Sequence, residues 1–189
     1  NSSPPIDEAD ASRLAARPVR VVRERRQGLA FARVAGVETT SAPLLCFIDD
    51  DNEIAPDYFA ESLRIAETEP SLGAFGGIAT GELEKPVGPG FSHFLPYLGV
   101  NDHGPEPLTG PGDAWAPWVP IGAGLCVRRD VADRFAEAIA ELAQTGGLGR
   151  RGELLMSGED TLFSRLAHQL GYAVGYRPTL RLTHLIAAE

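Results

Sequence analysis

The sequence has few cysteines, no long apolar run and no excess of positive charge, and each shortage excludes a class of protein. No apolar run in the 189 residues reaches the ~18 residues that a membrane-spanning helix needs, and no charged-then-apolar leader opens the chain. The 17 basic and 26 acidic residues give a net charge of -9, which argues against nucleic acid as a partner, because phosphate binding needs a basic face. We therefore expect a cytoplasmic protein with at most peripheral contact at the inner face of a membrane.

Only two cysteines, Cys46 and Cys126, occur in the chain. Each lies inside an apolar, strand-like run, so we predict buried free thiols in a reducing compartment rather than a disulfide. With 43% hydrophobic and 23% charged residues, the chain can bury one sizeable core. We found no internal repeat, and we predict a single domain over residues 1–189.

Strand-like and helix-like segments alternate along the sequence, which predicts an α/β sandwich with a mainly parallel sheet. Apolar runs bounded by turn residues predict strands, and periodic apolar stripes with Pro before them or Gly after them predict helices. The predicted strands cover residues 19–22, 44–48, 73–80, 122–127, 172–176 and 179–184. The predicted helices are 29–38, one from Pro56 that buries Tyr58, Phe59, Leu63 and Ile65, 130–143, and a last one with Leu162, Phe163, Leu166, Ala167 and Leu170 on one stripe.

The alternating pattern disappears between residues 85 and 120, in a stretch rich in glycine, proline and aromatic residues. This stretch is far longer than ordinary connections, which favours a functional loop region. Its aromatic and polar side chains, Trp115 and Trp118 among them, suit an acceptor site for a sugar or a lipid-linked sugar. For any one aromatic residue, simple packing of the loop on the core is an equal alternative. Trp118 is the first candidate, because it lies closest to the strand at Gly122.

Three consecutive aspartates, Asp49, Asp50 and Asp51, follow the apolar run at residues 44–48. Adjacent like charges at the end of a buried strand repel each other unless a cation or hydrogen-bond donors lie among them. Ligands of open α/β sheets bind beyond the carboxyl ends of the strands, and Mn²⁺ or Mg²⁺ prefers carboxylate oxygens. The alternative is a solvated turn and helix cap ahead of Pro56. The triplet predicts a divalent-metal site.

A second acidic motif, Glu159-Asp160, stands at the start of the last predicted helix. Acidic residues in a first helical turn commonly serve only as caps, because they favour the positive end of the helix. A carboxylate held at a rigid helix start is also well placed to accept a proton from an acceptor hydroxyl. Both interpretations remain open on these residues alone.

Four motifs in order and spacing resemble the family 2 glycosyltransferases of the GT-A fold, although no single one is specific. They are the Asp49-Asp50-Asp51 triplet, the stretch from Gly122 to Arg129, Gly158-Glu159-Asp160, and Thr183-His184. Residues 27–36 also resemble the first helix after that family's third strand, with Val34 where the family has Asn. The resemblance covers about residues 19–184 and implies a Rossmann-like αβα sandwich.

The resemblance also implies roles for individual residues. Asp51 would coordinate Mn²⁺ or Mg²⁺ on the donor diphosphate, as the last residue of a DXD motif, and Asp49 would lie nearer the nucleotide sugar. Asp160 would be the general base of an inverting transfer, with Glu159 beside it orienting the acceptor. The implied metal ligands are Asp49, Asp51 and His184; the donor-binding residues are Asp49, Asp50, Asp51 and Arg33; and the acceptor-binding residues are Trp115, Trp118, Gly122 and Gly124.

The implied function is inverting transfer of one sugar from a nucleotide sugar to a hydroxyl of a glycan, a lipid-linked sugar or a small molecule, in cell envelope polysaccharide biosynthesis. No Gln-x-x-Arg-Trp signature follows Asp160, which favours single addition over processive synthesis. Two alternatives are a non-catalytic carbohydrate- or nucleotide-binding relic and a metal-dependent nucleotidyltransferase. Release of nucleoside diphosphate, of pyrophosphate, or of neither would distinguish the three.

The start of the sequence departs from the family pattern. Members begin with two strands that hold the nucleotide base, whereas Asn1-Ser2-Ser3 resembles the segment just after them. The resemblance thus implies a partial, N-terminally truncated catalytic domain. The missing strands would lie between those at residues 19–22 and 44–48, so we expect unpaired strand edges and self-association through them.

Overall fold

A computed structural model describes residues 12–14, 16–85, 87–88, 91–114, 116–144 and 159–187. Its helices are α1 (Leu29–Glu38), α2 (Tyr58–Thr68), α3 (Arg129–Gln144) and α4 (Glu159–Gln169), with a 3₁₀ helix at Phe91–Leu98. Its strands are β1 (Leu44–Phe47), β2 (Asn52–Ile54), β3 (Leu72–Leu83), β4 (Leu108–Gly110), β5 (Leu125–Arg128) and β6 (Ala173–Ile186). No helix among these residues has the length and apolar character needed to cross a bilayer.

The strands form one mixed sheet in the order β1-β5-β3-β6-β2. The fourth strand, β4, lies on the same side of β6 as β2: β4 pairs with residues 174–176 of β6, and β2 pairs with residues 182–184. β3 and β6 pair in parallel, whereas β5 runs antiparallel between β1 and β3. Strands β1, β3 and β6 therefore share one direction, as expected of an α/β protein. The expectation of a mainly parallel sheet needs correction, because one of the five described pairings is parallel. The first residue of β5, Leu125, lies opposite the last residue of β1, Phe47, so β5 is antiparallel to β1. Because β3 has the same direction as β1, β5 is also antiparallel to β3.

Helices cover both faces of the sheet, which confirms the predicted αβα layers. On one face, α1, α3 and α4 bury an apolar cluster that includes Val34, Phe135 and Phe163. On the other face, α2 buries a second cluster that includes Tyr58, Ile65 and Phe75. Strand β5 contributes side chains to both clusters, because successive side chains of a strand point to opposite faces of the sheet.

The two cysteines face each other across β1 and β5. Both are free thiols, with sulfur atoms 3.1 Å apart, as the sequence predicted. The hydrogen bond with Cys46 and burial raise the pKa of the Cys126 thiol, whereas the same hydrogen bond lowers the pKa of Cys46.

Three predictions about local structure are wrong. Residues 19–22 form no strand, and Val19, Val21 and Val22 remain 44–53% exposed, because no described strand lies beside them. Phe59 and Leu63 of α2 are exposed, since the buried face carries Tyr58, Ser62 and Ile65 at helical spacing. The two strands predicted at residues 172–184 are one strand, β6, whose pairing with β3 shifts between Tyr176 and Arg181.

Candidate active site

The aspartate triplet forms the turn between β1 and β2, at the carboxyl end of β1. The backbone N–H of Asn52 donates to the carbonyl of Asp49 at 3.1 Å and closes this turn. The N–H of Leu185 donates to the carbonyl of Asp51 at 2.8 Å and ties the turn to the end of β6. Asp49 is partly buried, whereas Asp50 and Asp51 are exposed. The last residues of β6, His184 among them, therefore lie beside the aspartates.

Asp51 and His184 are two candidate metal ligands in direct contact. The Oδ2 atom of Asp51 lies 3.2 Å from Nε2 of His184, while Nδ1 on the opposite side of the ring lies 2.7 Å from the carbonyl oxygen of Leu98. Since a carbonyl can only accept a hydrogen bond, Nδ1 carries a proton and Nε2 points to the carboxylate. A proton or a cation between Nε2 and Oδ2 would be stabilised by both atoms. Histidines that bind metals commonly show this arrangement, with the other ring nitrogen donating to a carbonyl.

Asp49 lies in the electrostatic field of several predicted site residues. Burial raises the pKa of its carboxyl above the ordinary value, and the charge of Arg33 opposes that rise. Asp51 and Asp50 raise this pKa further, while His184 lowers it. The structure thus brings together the aspartate triplet, Arg33 and His184. A cation placed among these carboxylates would relieve the unfavourable burial of negative charge.

Arg33 is a buried arginine of α1 with an unused hydrogen-bond donor. Arg33 is 6% exposed, and its Nη1 atom has no hydrogen-bond partner among the described residues. The guanidinium lies 5.8 Å from the centre of the Phe47 ring, and its Nη2 would lie 2.5 Å from a Cβ added at Gly122. Any side chain at position 122 would therefore displace the Arg33 guanidinium. A buried guanidinium with a free N–H is suited to an anionic group such as a phosphate.

Asp160 is held at the start of α4 by two backbone donors. Its Oδ1 accepts a hydrogen bond from the N–H of Thr161 at 2.8 Å, and its Oδ2 accepts one from the N–H of Gly122 at 3.3 Å. The second bond joins the carboxylate to the turn that lies over Arg33. Both interpretations of Asp160, helix cap and base, are compatible with this geometry. Glu159 begins the same helix, and its side chain lies outside the described residues.

Tyr58 is a positioning residue that the sequence reasoning assigned only to the core. Its hydroxyl donates to the carbonyl of Gly124 at 2.5 Å, and Gly124 has a φ of 73°, which favours glycine. This buried hydrogen bond fixes the turn that precedes β5 and that supplies the Gly122 N–H to Asp160. The only signal in the sequence was a tyrosine, with its polar tip, on an otherwise apolar helix face.

The predicted acceptor side is only partly described. Trp118 packs against the cluster formed by α1, α3 and α4, and its ring would lie 3.0 Å from a Cβ added at Gly110. This contact is a packing role, and a role for Trp118 in acceptor binding stays a prediction. Trp115 lies outside the described residues. On the 3₁₀ helix, Phe94 and Tyr97 are 60% and 87% exposed and could contact an acceptor.

The residues present fit a divalent metal that is shared with a phosphate ligand. No group of three or more His, Cys, Asp or Glu side chains that could hold an ion occurs within the described ranges. Asp51 and His184 can supply two ligands, one oxygen and one nitrogen. Metals of this class are often bound by one or two protein ligands together with substrate phosphates and water, so two protein ligands are sufficient.

Three comparisons with known proteins identify the family and the fold of this chain. The model of the family described as "Glycosyl transferase family 2" matches residues 1–135. A segment of 53 residues, 28% of this chain, is 38% identical to "Putative glycosyltransferase EpsH" of Bacillus subtilis (strain 168) and covers 15% of that protein. The crystal structure of GalNAc-T7 with UDP, GalNAc and Mn²⁺ is similar, with a TM-score of 0.51 and 18% identity over 86% of this chain and 31% of that chain. This similarity confirms the predicted GT-A-like fold, and the chain spans less than a third of either protein.

Proposed function

This chain belongs to glycosyl transferase family 2, and from that premise we propose that it transfers one sugar, with inversion, from a nucleotide sugar to an acceptor hydroxyl. The observation that best supports the proposal is the Asp51–His184 pair, 3.2 Å apart, close to the partly buried carboxyl of Asp49. GalNAc-T7 was crystallised with UDP and Mn²⁺, which supports a nucleotide-sugar donor and Mn²⁺ or Mg²⁺ for this chain.

On the donor side, Asp51 and His184 would hold the metal, and Asp49 would lie nearer the sugar. A metal held by Asp51 and His184 would supply positive charge to offset the charge that builds on the departing diphosphate. Arg33 offers its free Nη1 donor to an anionic oxygen of the same group. Arg33, together with a metal held by Asp51 and His184, would place positive charge where the reaction develops negative charge.

On the acceptor side, Asp160 acts as the base. The acceptor oxygen attacks the anomeric carbon as its proton passes to the Asp160 carboxylate, and the bond to the diphosphate breaks with both electrons on the leaving oxygen. A single displacement of this kind inverts the anomeric centre. The Gly122 N–H holds Oδ2 of Asp160 during this step. Residues 85–120 would bind the acceptor, which we propose to be a carbohydrate or a lipid-linked sugar of the cell envelope, at the cytoplasmic side.

The test is release of the leaving group by the protein from a panel of nucleotide sugars, with and without Mn²⁺. We expect release of nucleoside diphosphate that requires the metal, that stops on chelation, and that Asp51→Ala abolishes. Asp57→Ala is the matched control, since Asp57 is an exposed aspartate whose side chain makes no capping hydrogen bond.

Other products would favour the alternatives. Pyrophosphate would identify a nucleotidyltransferase, and neither product would identify a binding relic. Calorimetry that gives the same Mn²⁺ affinity for the Asp51→Ala variant and the unchanged protein would remove Asp51 from the metal site.

A further inference from the structure

The 3₁₀ helix Phe91–Leu98 ends directly against the candidate metal pair. The carbonyl of Leu98, its last residue, accepts the hydrogen bond from Nδ1 of His184 at 2.7 Å. On the other side of the ring, Nε2 of His184 lies 3.2 Å from Asp51. A segment of the predicted acceptor-side region therefore touches the ring from the side opposite the carboxylate.

The Leu98 carbonyl is held in place by the chain around it. The N–H of Val100 donates to the carbonyl of Leu95 at 3.2 Å and closes the turn after the helix. The backbone of Asn101 then exchanges hydrogen bonds of 2.8 and 2.9 Å with Ala79 of β3. Asn101 is 5% exposed, and its Nδ2 donates to the carbonyl of Gly77. These bonds fix the turn to the same sheet that carries His184.

Gly99, the residue after Leu98, leaves room for the histidine ring. Its φ of 74° lies in the left-handed region that favours glycine. A Cβ at this position would lie 3.3 Å from Nδ1 and 3.5 Å from Cε1 of His184. Any other residue here would therefore press on the ring atom that carries the hydrogen bond to Leu98.

We propose that Leu98 and Gly99 are positioning residues that orient His184 for the metal site. The Leu98 carbonyl selects the tautomer with the proton on Nδ1, and Gly99 gives the ring the space to make that bond. Nε2 is then directed to Asp51 before any metal binds. The orientation of His184 follows from the geometry alone, whereas its effect on metal binding rests on the proposed function.

The test compares Gly99→Ala with Gly171→Ala. Gly171 has a φ of 86° and no atom within 4 Å of an added Cβ, so the control carries a similar backbone strain without a contact to His184. The ring nitrogens of His184 are observed by ¹⁵N nuclear magnetic resonance in the metal-free protein at about pH 8.5, above the usual imidazole range. We expect the proton on Nδ1 in the unchanged protein and in the control, and a shift toward Nε2 in Gly99→Ala.

Mn²⁺ binding, followed by electron paramagnetic resonance, is the second measurement. We expect Gly99→Ala to weaken Mn²⁺ binding by about 10-fold or more, and the control to change it by less than about 3-fold, as for other partners that orient metal ligands. Unchanged tautomer and unchanged affinity in Gly99→Ala would overturn the proposal.

Two further outcomes are decisive. If the unchanged protein binds no Mn²⁺, the metal site of the proposed function is wrong, and the nitrogen spectra still decide whether Leu98 and Gly99 orient the ring. If Gly99→Ala does not fold, the unchanged protein decides, because a proton found on Nε2 alone would contradict the hydrogen bond to Leu98.

Discussion

Two arginines, Arg33 and Arg177, are buried to the same degree, 6% and 7% exposed, in different regions of the molecule. Every nitrogen of the Arg177 guanidinium has a partner, whereas Nη1 of Arg33 has none among the described residues. The partners of Arg177 are the Glu69 carboxylate, the Thr109 hydroxyl and the carbonyls of Leu108 and Tyr176. Arg177 joins α2, β4 and the irregular part of β6, and it has no donor left for a ligand.

The carboxylates of the two regions differ in the same way. Hydrogen bonding to Arg177 lowers the pKa of Glu69, so its charge is stabilised by the fold. Burial instead raises the pKa of Asp49 next to Asp51 and Asp50, so charge there is unfavourable without a ligand. Polar groups that are buried and unpaired cost stability and are retained where they bind something. This comparison supports assigning the Asp49 region to function and the Arg177 region to structure.

The largest effect is expected for Asp160→Asn in the site region. The amide oxygen can still accept the hydrogen bond from Gly122, but the residue can no longer take a proton, so turnover should fall by a factor on the order of 10² or more. The melting temperature should change little. Steady-state kinetics and thermal unfolding of the same preparation check both statements, and unchanged turnover would remove Asp160 from the mechanism.

The second effect concerns stability and uses the two arginines directly. Arg177→Met removes the ion pair and leaves Glu69 and two carbonyls without their donor, so the free energy of unfolding should fall by about 3 kcal/mol. Arg33→Met removes a charge that is not fully paired and should cost less than half as much. Denaturant unfolding of the two variants measures the difference. Equal losses would mean that Arg33 is as structural as Arg177.

The smallest effect is the pH dependence of Glu69→Gln. Hydrogen bonding to Arg177 lowers the pKa of Glu69 below its ordinary value of 4.5 in the folded protein. The contribution of the Glu69 carboxylate to the free energy of unfolding is therefore fully present above pH 4.5 and is lost as the pH falls through the lowered pKa. The carboxylate is 35% exposed, so the variant should lose only about 1 kcal/mol at neutral pH, because solvent screens the pair. The two unfolding curves should converge in acid. A difference that persists at about pH 2 would contradict this account.

Local patterns in the sequence were sufficient for most of the helices and for the acidic turn. α1, α3 and the apolar stripe of α4 follow from helical periodicity with Gly or Pro at the ends, and β1 follows from an apolar run before Asp49. Strand direction could not be read in this way, because β5 has the same composition whether it runs with or against β1. Residues 19–22 have a strand-like composition, but a strand needs a neighbour, and none of the described strands supplies one.

The candidate site shows the same division. The order of residues was enough to show which chemical groups are available, because Asp49, Asp51, Asp160 and His184 stand near the ends of strands and helices, where side chains meet a ligand. That His184 faces Asp51, that Leu98 holds the other side of its ring, and that Arg33 lies under Gly122 became visible only once the chain was folded. The two contacts of His184 join residues 86 and 133 positions apart in the sequence, and the Arg33 contact joins α1 to the turn that precedes β5. No local sequence pattern encodes contacts of this kind. The two contacts of His184 depend on the pairing of β6 with β2 and β3, and the Arg33 contact depends on the packing of α1 beside the turn that precedes β5; packing of the whole core sets both.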